Sequence, residues 1–315
     1  MQLKQTLASA VTRLSAEHVP SPRMNAELLL MFTLDCDRAC LYAHPERELT
    51  GDEKARYEAA LAERARGVPA QYITGHQEFW GMDLIVAPAV LIPRPETEHV
   101  IETVLELATI PAAERRKEAA HSLPRACRGG VSRGISTENE KAPEERKKAA
   151  LRIVDVGTGS GCIALALAKE LRQAEIHATD ISPAALEVAR ANAARHQLES
   201  HIQFREADLL AGFENNSFDF IVSNPPYVGE SEGDEVQLEV RKFEPRNAVF
   251  AGPTGVEVIA RLIPQAYAAL SPGGWLVMEI SGTIAEQVRR LLRDWNDVLI
   301  WPDLQSIPRV AQARK

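Results

Sequence analysis

Residues 151–168 read LRIVDVGTGSGCIALALA and determine which fold class the chain can adopt. An apolar run typical of a buried strand leads through three glycines into an Ala- and Leu-rich run typical of a helix. Strand and helix patterns then alternate through EIHATDI, SPAALEVARANAARH, IQFREADLL, FDFIVSN, GVEVIARLIPQAYAAL and GGWLVMEI. This alternation predicts an α/β fold with a doubly wound, mostly parallel sheet. Ligands on such sheets bind outside the carboxyl ends of the strands.

The glycine loop between that strand and helix suits a ligand without phosphate groups. Gly157, Gly159 and Gly161 allow a tight turn and a close approach of the ligand to the backbone. The dinucleotide fingerprint would need a glycine where Cys162 stands, and no P-loop Lys-Ser/Thr pair follows. Asp155, just before the loop, would repel a pyrophosphate but attract a cation. Because S-adenosylmethionine carries a sulfonium cation and no phosphate, the loop favours that cofactor.

Two further acidic positions follow the next two strand patterns. Asp180 ends EIHATD, where an acid typically binds ribose hydroxyls. Asp208 and Leu209 follow the third strand, where they suit the exocyclic amine and the ring of an adenine. A single Asp in such a place is commonly a turn or a helix cap. Acids at the ends of three successive strands, beside a glycine loop, favour a cofactor site instead.

The strand FDFIVS is followed by Asn224, Pro225, Pro226 and Tyr227. Each proline holds the residue before it in an extended conformation, so the Asn224 side-chain oxygen and the Pro225 carbonyl are fixed relative to each other. Two such acceptors can receive both N–H bonds of a planar –NH₂ group, and Tyr227 offers a ring for stacking. They would hold a weakly nucleophilic nitrogen in line with a methyl donor. The alternative is an ordinary proline-rich strand exit.

Composition excludes several classes of protein. A net charge of −8 and an isoelectric point near 5.6 argue against broad attraction to nucleic acid. Four scattered cysteines are no disulfide framework and fit a reducing, cytoplasmic compartment. Cys36, Cys40 and His44 share helical spacing but lack a fourth ligand, so we expect small buried residues rather than a metal site. The amino-terminal pattern indicates no signal peptide, and no apolar run is long enough to span a membrane.

The periodicity divides the chain into three parts. Residues 1–75 are predicted to form a small all-helical domain, residues 76–94 a hairpin and extended linker, and residues 95–315 the domain with the sheet. Within the last part, residues 111–150 contain ten Lys or Arg against six Asp or Glu and almost no large apolar residue. A segment of this composition is expected to be a mobile insert. A contact with RNA is the alternative for this basic segment.

Several of these motifs together resemble a known family. The segments DVGTGSGCIALALA, ATDIS and VSNPPYV look like an S-adenosylmethionine-dependent N-methyltransferase with a Rossmann-like sheet. The segments PAQYITGHQEFWGMDLIVAPAVLIPRPETEHVIE and RKFEPRNAVFAGPTGVEVIARLI closely resemble the release factor glutamine methyltransferase family. The resemblance covers most of the chain. The NPPY motif alone would not separate this family from adenine-N6 methyltransferases of DNA.

The resemblance implies N5-methylation of the glutamine in the GGQ motif of class 1 peptide chain release factors. It implies that the helical domain helps to dock this protein substrate, with no metal and no stable binding of nucleic acid. Arg94 and Glu98 match a linker signature, PRPETE, which either orders the site or forms an interdomain ion pair. The resemblance assigns catalysis to Asn224, Pro225 and Tyr227, and it assigns substrate contacts to these three residues together with Pro226 and Arg94. The residues that it assigns to cofactor contacts are Asp155, Gly157, Thr158, Gly159, Ser160, Gly161, Asp180, Asp208, Leu209 and Asn224.

The chain departs from the family pattern in three places, and other activities remain as alternatives. The insert at 111–150 is long, Leu209 stands where some relatives have an aromatic residue, and EISG at 279–282 replaces the usual glycine directly after Glu-Ile. None of these departures is expected to touch the NPPY motif. The alternatives are glutamine methylation of a ribosomal protein, adenine-N6 methylation of nucleic acid, and a silent binding scaffold. The intact PRPETE and the acidic balance favour release factors.

Overall fold

The amino-terminal part of the chain is helical. The computed structural model describes residues 2–109 and 150–315, so the insert predicted at 111–150 lies, except for its last residue, outside the described residues. Within these two ranges, no helix is both long and apolar enough to cross a membrane. The first five helices are α1 (Leu3–Ala16), α2 (Pro22–Leu34), α3 (Arg38–Ala43), α4 (Gly51–Ala65) and α5 (Ala70–Thr74).

These helices pack around their own core, as the apolar spacing predicts. Leu14 of α1, Leu30 of α2 and Leu61 of α4 are fully or almost fully buried against one another. A capping box begins α4: the Thr50 hydroxyl accepts from the Glu53 amide at 3.2 Å, and the Glu53 carboxylate accepts from the Thr50 amide at 2.9 Å. The helical part therefore has a hydrophobic core of its own.

A hairpin and a short 3₁₀ turn connect the helices to the sheet. The hairpin consists of antiparallel β1 (His76–Phe79) and β2 (Met82–Ile85), within the segment 76–94 where a hairpin is predicted. The 3₁₀ turn covers Pro95–Thr97. The remaining helices are α6 (Glu98–Ala108), α7 (Cys162–Glu170), α8 (Pro183–Arg195), α9 (Leu238–Phe243), α10 (Arg246–Val249), α11 (Glu257–Ala269) and α12 (Ala285–Leu291).

The remaining strands form one large sheet and one small one. They are β3 (Arg152–Val156), β4 (Glu175–Asp180), β5 (Ile202–Glu206), β6 (Phe218–Ser223), β7 (Val228–Gly229), β8 (Phe250–Gly252), β9 (Leu270–Glu279), β10 (Asn296–Pro302) and β11 (Pro308–Arg314). The large sheet has seven strands in the order β10-β11-β9-β6-β3-β4-β5, and β7 pairs with β8. Strands β3, β4, β5, β6 and β9 run parallel, while β11 is antiparallel to both of its neighbours. The prediction of a mostly parallel sheet is confirmed.

Helices cover both faces of this sheet, which is why apolar residues of β3 face both ways. Ile153 packs with residues of α6 and α7 in one core, and its neighbour Val154 packs with residues of α11 and α12 in the other. In the sheet, β4 lies next to β3 on one side and β6 lies next to β3 on the other, so the direction of the strand order reverses at β3. This reversal opens a crevice outside the carboxyl ends of β3, β4 and β6, where ligands bind on doubly wound sheets.

A buried arginine joins the helical part to the sheet domain. Arg64, in the last turn of α4, is 3% exposed. Its Nε donates to Asn25 Oδ1 at 2.8 Å, its Nη1 to the Val68 carbonyl at 3.1 Å and its Nη2 to Glu239 Oε1 at 2.5 Å. Glu239 belongs to α9, which follows the NPPY motif in the chain. The helical part is therefore bonded directly to the segment beside that motif.

Candidate active site

The glycine loop lies between β3 and α7 and is held against β4. The φ angles of Gly157, Gly159 and Gly161 are +72°, +56° and +85°. At Gly161 a Cβ atom would lie 2.5 Å from a methyl group of Leu165, so only glycine fits there. The amides of Gly157 and Thr158 both donate to the Thr179 carbonyl at 2.8 Å. The loop is therefore rigid, and it lies at the crevice that the sheet topology opens.

Asp155 holds this loop from behind. Its Oδ2 accepts from the Thr158 hydroxyl at 2.6 Å and from the Ala164 amide at 3.2 Å. Its buried Oδ1 has no hydrogen-bond partner among the described residues. Asp155 is not among the residues that line the adjacent cavity, although Thr158 is. Burial raises the pKa of Asp155 to about 7. Asp155 therefore supports the loop from behind, and its contact with a ligand stays a prediction.

Replacing Asp155 with Asn is expected to remove one component of the pH dependence of stability. Because the pKa of Asp155 is raised to about 7 in the folded protein, the folded state binds this proton more tightly than the unfolded chain does. The stabilisation is fully present below about pH 4 and is lost as the pH rises through 7, by about 1.4 kcal/mol per pH unit.

Urea unfolding at a series of pH values measures this effect as a difference between the two proteins. Asn keeps the oxygen that accepts from Thr158 and Ala164, so the variant is expected to fold. The free energy of unfolding of the wild type should fall relative to Asp155→Asn between about pH 4 and pH 7. Parallel curves for the two proteins would contradict the raised pKa.

Asp180 and the pair Asp208–Leu209 follow β4 and β5 at the same crevice. The Asp180 carboxylate accepts from the Gly159 amide and from the Ser182 amide, both at 2.9 Å, which leaves further lone pairs for a ligand. Asp208 forms an ion pair with Arg261, which sequence reasoning missed. Leu209 has a left-handed backbone with φ +56°. Asp180, Asp208, Leu209 and Arg261 line one cavity together with the glycine loop.

Two cavities meet at the NPPY motif. The first, the glycine-loop cavity, has a volume of about 330 Å³ and is lined by the loop residues 157–160, Asp180, Asp208 and Leu209. The second, the NPPY cavity, has a volume of about 610 Å³ and is lined by Arg94, Tyr227 and Glu279 among others. Both volumes are typical of small-molecule sites. The residues that line both cavities are Leu91, Asn224, Pro226 and Ala248.

Asn224 and Tyr227 are tied together by two buried residues. Asn224 Nδ2 donates to Thr97 Oγ1 at 3.0 Å, and the Thr97 hydroxyl donates to Glu279 Oε2 at 2.6 Å. The Tyr227 hydroxyl donates to Glu279 Oε1 at 2.9 Å. Glu279, at the end of β9, faces the carboxyl end of β6. Ser281, the residue of EISG that departs from the family pattern, bonds to Thr283 instead. Burial raises the pKa of Glu279 and that of Tyr227.

The linker signature contributes an ion pair beside the NPPY cavity. The Arg94 guanidinium pairs with the buried Glu244 carboxylate, which also accepts from the Ile92 amide at 3.2 Å. Arg94 lines the NPPY cavity, so it both forms an ion pair and borders the site. Glu98 instead accepts from the Trp80 amide at 2.9 Å in the hairpin. Pro225 is buried and is not among the residues lining either cavity, so the role of its carbonyl stays a prediction.

Comparison with known proteins agrees with this geometry. Residues 5–75 match the family model described as PrmC N-terminal domain, and residues 142–242 match the Methyltransferase small domain. The release factor glutamine methyltransferase of Koribacter versatilis (strain Ellin345) is 52% identical over 316 residues, covering 100% of this chain and 99% of that protein. The chain belongs to the release factor glutamine methyltransferase family.

Two further proteins show lower identity to this methyltransferase. The release factor glutamine methyltransferase of Moorella thermoacetica is 39% identical over 293 residues, covering 93% of this chain and 90% of that protein. Among solved structures, a ribosomal protein L11 methylase from Lactobacillus delbrueckii subsp. bulgaricus is 25% identical and covers 53% of this chain and 70% of its own, with a TM-score of 0.38. That score is too low to support an argument, so the fold assignment depends on the strand order and the family.

Sequence reasoning on this methyltransferase missed four residues that organise the site: Thr97, Asn192, Arg261 and Glu279. Asn192 is fully buried in α8, where its Oδ1 accepts from the Ile85 amide at 2.6 Å and its Nδ2 donates to the carbonyls of Ile85 and Ser160 at 2.9 Å. It thereby bonds the hairpin to the glycine loop. Thr97 and Glu279 lie within segments that the sequence marks, PRPETE and EISG, but their pairing depends on tertiary structure alone.

Proposed function

We propose that this methyltransferase transfers a methyl group from S-adenosylmethionine to the side-chain amide nitrogen, N5, of the glutamine in the GGQ motif of class 1 release factors in the cytoplasm. One observation carries the proposal: Asn224 and Pro226 line both cavities, so a group bound in one cavity meets a group bound in the other at the NPPY motif. The curated relatives named for this activity match the chain over almost its whole length, which supports the choice of glutamine.

The glycine-loop cavity fits the cofactor. It has acidic groups, a rigid loop, and no cluster of cationic side chains suited to a pyrophosphate among the residues that line it. When bound, S-adenosylmethionine supplies an electrophilic methyl group. The residues that would hold it line this cavity: Gly157, Thr158, Gly159, Ser160, Asp180, Asp208, Leu209 and Asn224. Gly161 and Asp155 do not line the cavity and would act by shaping the loop.

The NPPY motif supplies hydrogen-bond acceptors for the substrate amide. An amide nitrogen is a weak nucleophile because its lone pair is delocalised over the carbonyl group. The Asn224 side-chain oxygen and the Pro225 carbonyl would accept its two N–H bonds and hold it in one orientation. The same acceptors stabilise the positive charge that develops on the nitrogen. Tyr227, fixed by its hydrogen bond to Glu279, would present its ring to the planar amide.

The substrate would enter through the NPPY cavity. Val236, Gln237 and Val240 contribute to its wall, and they lie in and next to α9. Because Glu239 of α9 is bonded to Arg64 of the helical part, a protein that docks on the helices would also contact the wall of the site. This arrangement suits a protein substrate that presents a glutamine on a loop. Arg94 would border the entering peptide from the linker side.

The proposal is tested by mapping the methylated atom. The purified protein is incubated with S-adenosylmethionine and one of three substrates: the unmethylated release factor of the same organism, its ribosomal proteins, or double-stranded DNA. Mass spectrometry of the GGQ peptide is expected to show one added methyl group on the glutamine, and none when glutamine is replaced by glutamate. Methylation of a ribosomal protein or of DNA, with an unmodified GGQ peptide, would contradict the proposal.

A further inference from the structure

A buried chain of hydrogen bonds controls the orientation of the Asn224 side-chain amide. Asn224 Nδ2 donates to Thr97 Oγ1 at 3.0 Å, and the Thr97 hydroxyl donates to Glu279 Oε2 at 2.6 Å. Thr97 and Glu279 are each 1% exposed, so solvent does not compete for their hydrogen bonds. Asn224 is the member of this chain that lines both cavities with Pro226. Its orientation is therefore fixed by two buried side chains that border the cavities.

The number of available hydrogens sets the direction of these bonds. While Glu279 is ionised, Tyr227 donates to one oxygen of its carboxylate and Thr97 to the other, so both oxygens act as acceptors. A threonine hydroxyl has one hydrogen, and after donating it to Glu279 the oxygen can only accept. The Thr97 oxygen can therefore pair with the Asn224 –NH₂ group, which donates, but not with the Asn224 side-chain oxygen, which also accepts. The Asn224 oxygen is left to accept from a ligand.

We propose that Thr97 and Glu279 are positioning residues that select a substrate with two N–H hydrogens, by fixing which end of the Asn224 amide meets it. This inference rests on the proposed function, because it names the device by which the same site recognises a primary amide. If Asn224 turned over, it would present its –NH₂ group, which suits a carboxylate. Glutamine and glutamate have nearly the same shape, so they distinguish the two orientations.

The test measures the binding of the release factor and of its variant in which the GGQ glutamine is replaced by glutamate. Isothermal titration is performed in the presence of S-adenosylhomocysteine, so that no turnover takes place. The wild-type enzyme is expected to bind the glutamine form about 100-fold more tightly, because a carboxylate facing acceptor oxygens is left unpaired and repelled. In Thr97→Val the hydroxyl is lost and the Asn224 amide is free to turn, so the preference is expected to fall to about 10-fold or less.

Two further variants separate positioning from a structural role. Thr97→Ser keeps the hydroxyl and is expected to restore the preference of the wild type. Thr103→Val removes another buried threonine hydroxyl, which donates to the His99 carbonyl at 2.8 Å outside this network, and should leave the preference unchanged. Glu279→Gln keeps the shape but offers an N–H to one hydroxyl, so it should also lower the preference.

The inference is overturned if Thr97→Val weakens binding of the glutamine and glutamate forms by the same factor, because a structural role alone would do this. It is also overturned if Thr97→Ser behaves like Thr97→Val. Either result can occur while the wild-type enzyme still methylates the GGQ glutamine, so the proposed function would stand. If the wild-type enzyme leaves this glutamine unmethylated, the proposed function itself is wrong.

Discussion

Asn224→Ala is expected to lower kcat for release factor methylation by about 10² to 10³-fold, the effect typical of losing one preorganised hydrogen-bonding group at the reacting atom. The variant keeps Pro225 and Pro226, so the backbone at the end of β6 is retained, but the substrate nitrogen loses one of its two proposed acceptors. Binding of S-adenosylhomocysteine should be partly retained, since Asn224 is one of many residues that line the glycine-loop cavity.

Single-turnover kinetics and titration with S-adenosylhomocysteine measure these two effects separately. Asn215→Ala is the matched control, because Asn215 is exposed and lies in the loop before β6. It is expected to leave both quantities unchanged. If Asn224→Ala retained a wild-type single-turnover rate, the proposal that the Asn224 side-chain oxygen acts on the nitrogen would be wrong.

Arg64→Ala is expected to lower the free energy of unfolding by about 3–5 kcal/mol, the usual cost of removing one partner from a buried ion pair. The change leaves Asn25 Oδ1, the Val68 carbonyl and the Glu239 carboxylate without the guanidinium that bonds to them. Because one of these partners belongs to α9, the loss should weaken the contact between the helical part and the wall of the NPPY cavity. The KM for the release factor is therefore expected to rise as well.

Urea unfolding followed by far-ultraviolet circular dichroism measures the change in stability. The matched control is Arg13→Ala, since Arg13 pairs with Glu58 at 2.9 Å while both side chains are more than 40% exposed. A surface pair of this kind contributes at most about 1 kcal/mol. Equal losses for Arg64→Ala and Arg13→Ala would show that the bonds of Arg64 do not join the two parts of the protein.

The sheet and its helices can be predicted from the sequence because each signal for them comes from neighbouring residues. The apolar strand patterns, the glycine loop at 157–161 and the caps at Thr50 and Ser182 each depend on neighbouring residues, and the structure has the predicted strands and helices in the predicted order. The family resemblance, carried by PRPETE and NPPY together, then selected glutamine among the substrates that the chemistry left open.

The sequence is insufficient where contacts join distant segments. Thr97 and Glu279 are 182 residues apart and Arg64 and Glu239 are 175 apart, and neither pair has a spacing that a helix or hairpin would impose. The role of Asp155 likewise cannot be predicted in full from the sequence. Its position before the loop indicates a ligand contact, but its hydrogen bonds to Thr158 and Ala164 show that it holds the loop. Only the packed sheet brings these groups together.

A crystal structure of the enzyme with S-adenosylhomocysteine and a GGQ peptide tests the two-acceptor arrangement most directly. We expect the glutamine side-chain nitrogen to lie within about 3.2 Å of both the Asn224 side-chain oxygen and the Pro225 carbonyl oxygen. Asn224 should keep its –NH₂ group on Thr97. A glutamine nitrogen that is bonded instead to Glu279, with Asn224 turned away from it, would contradict the account.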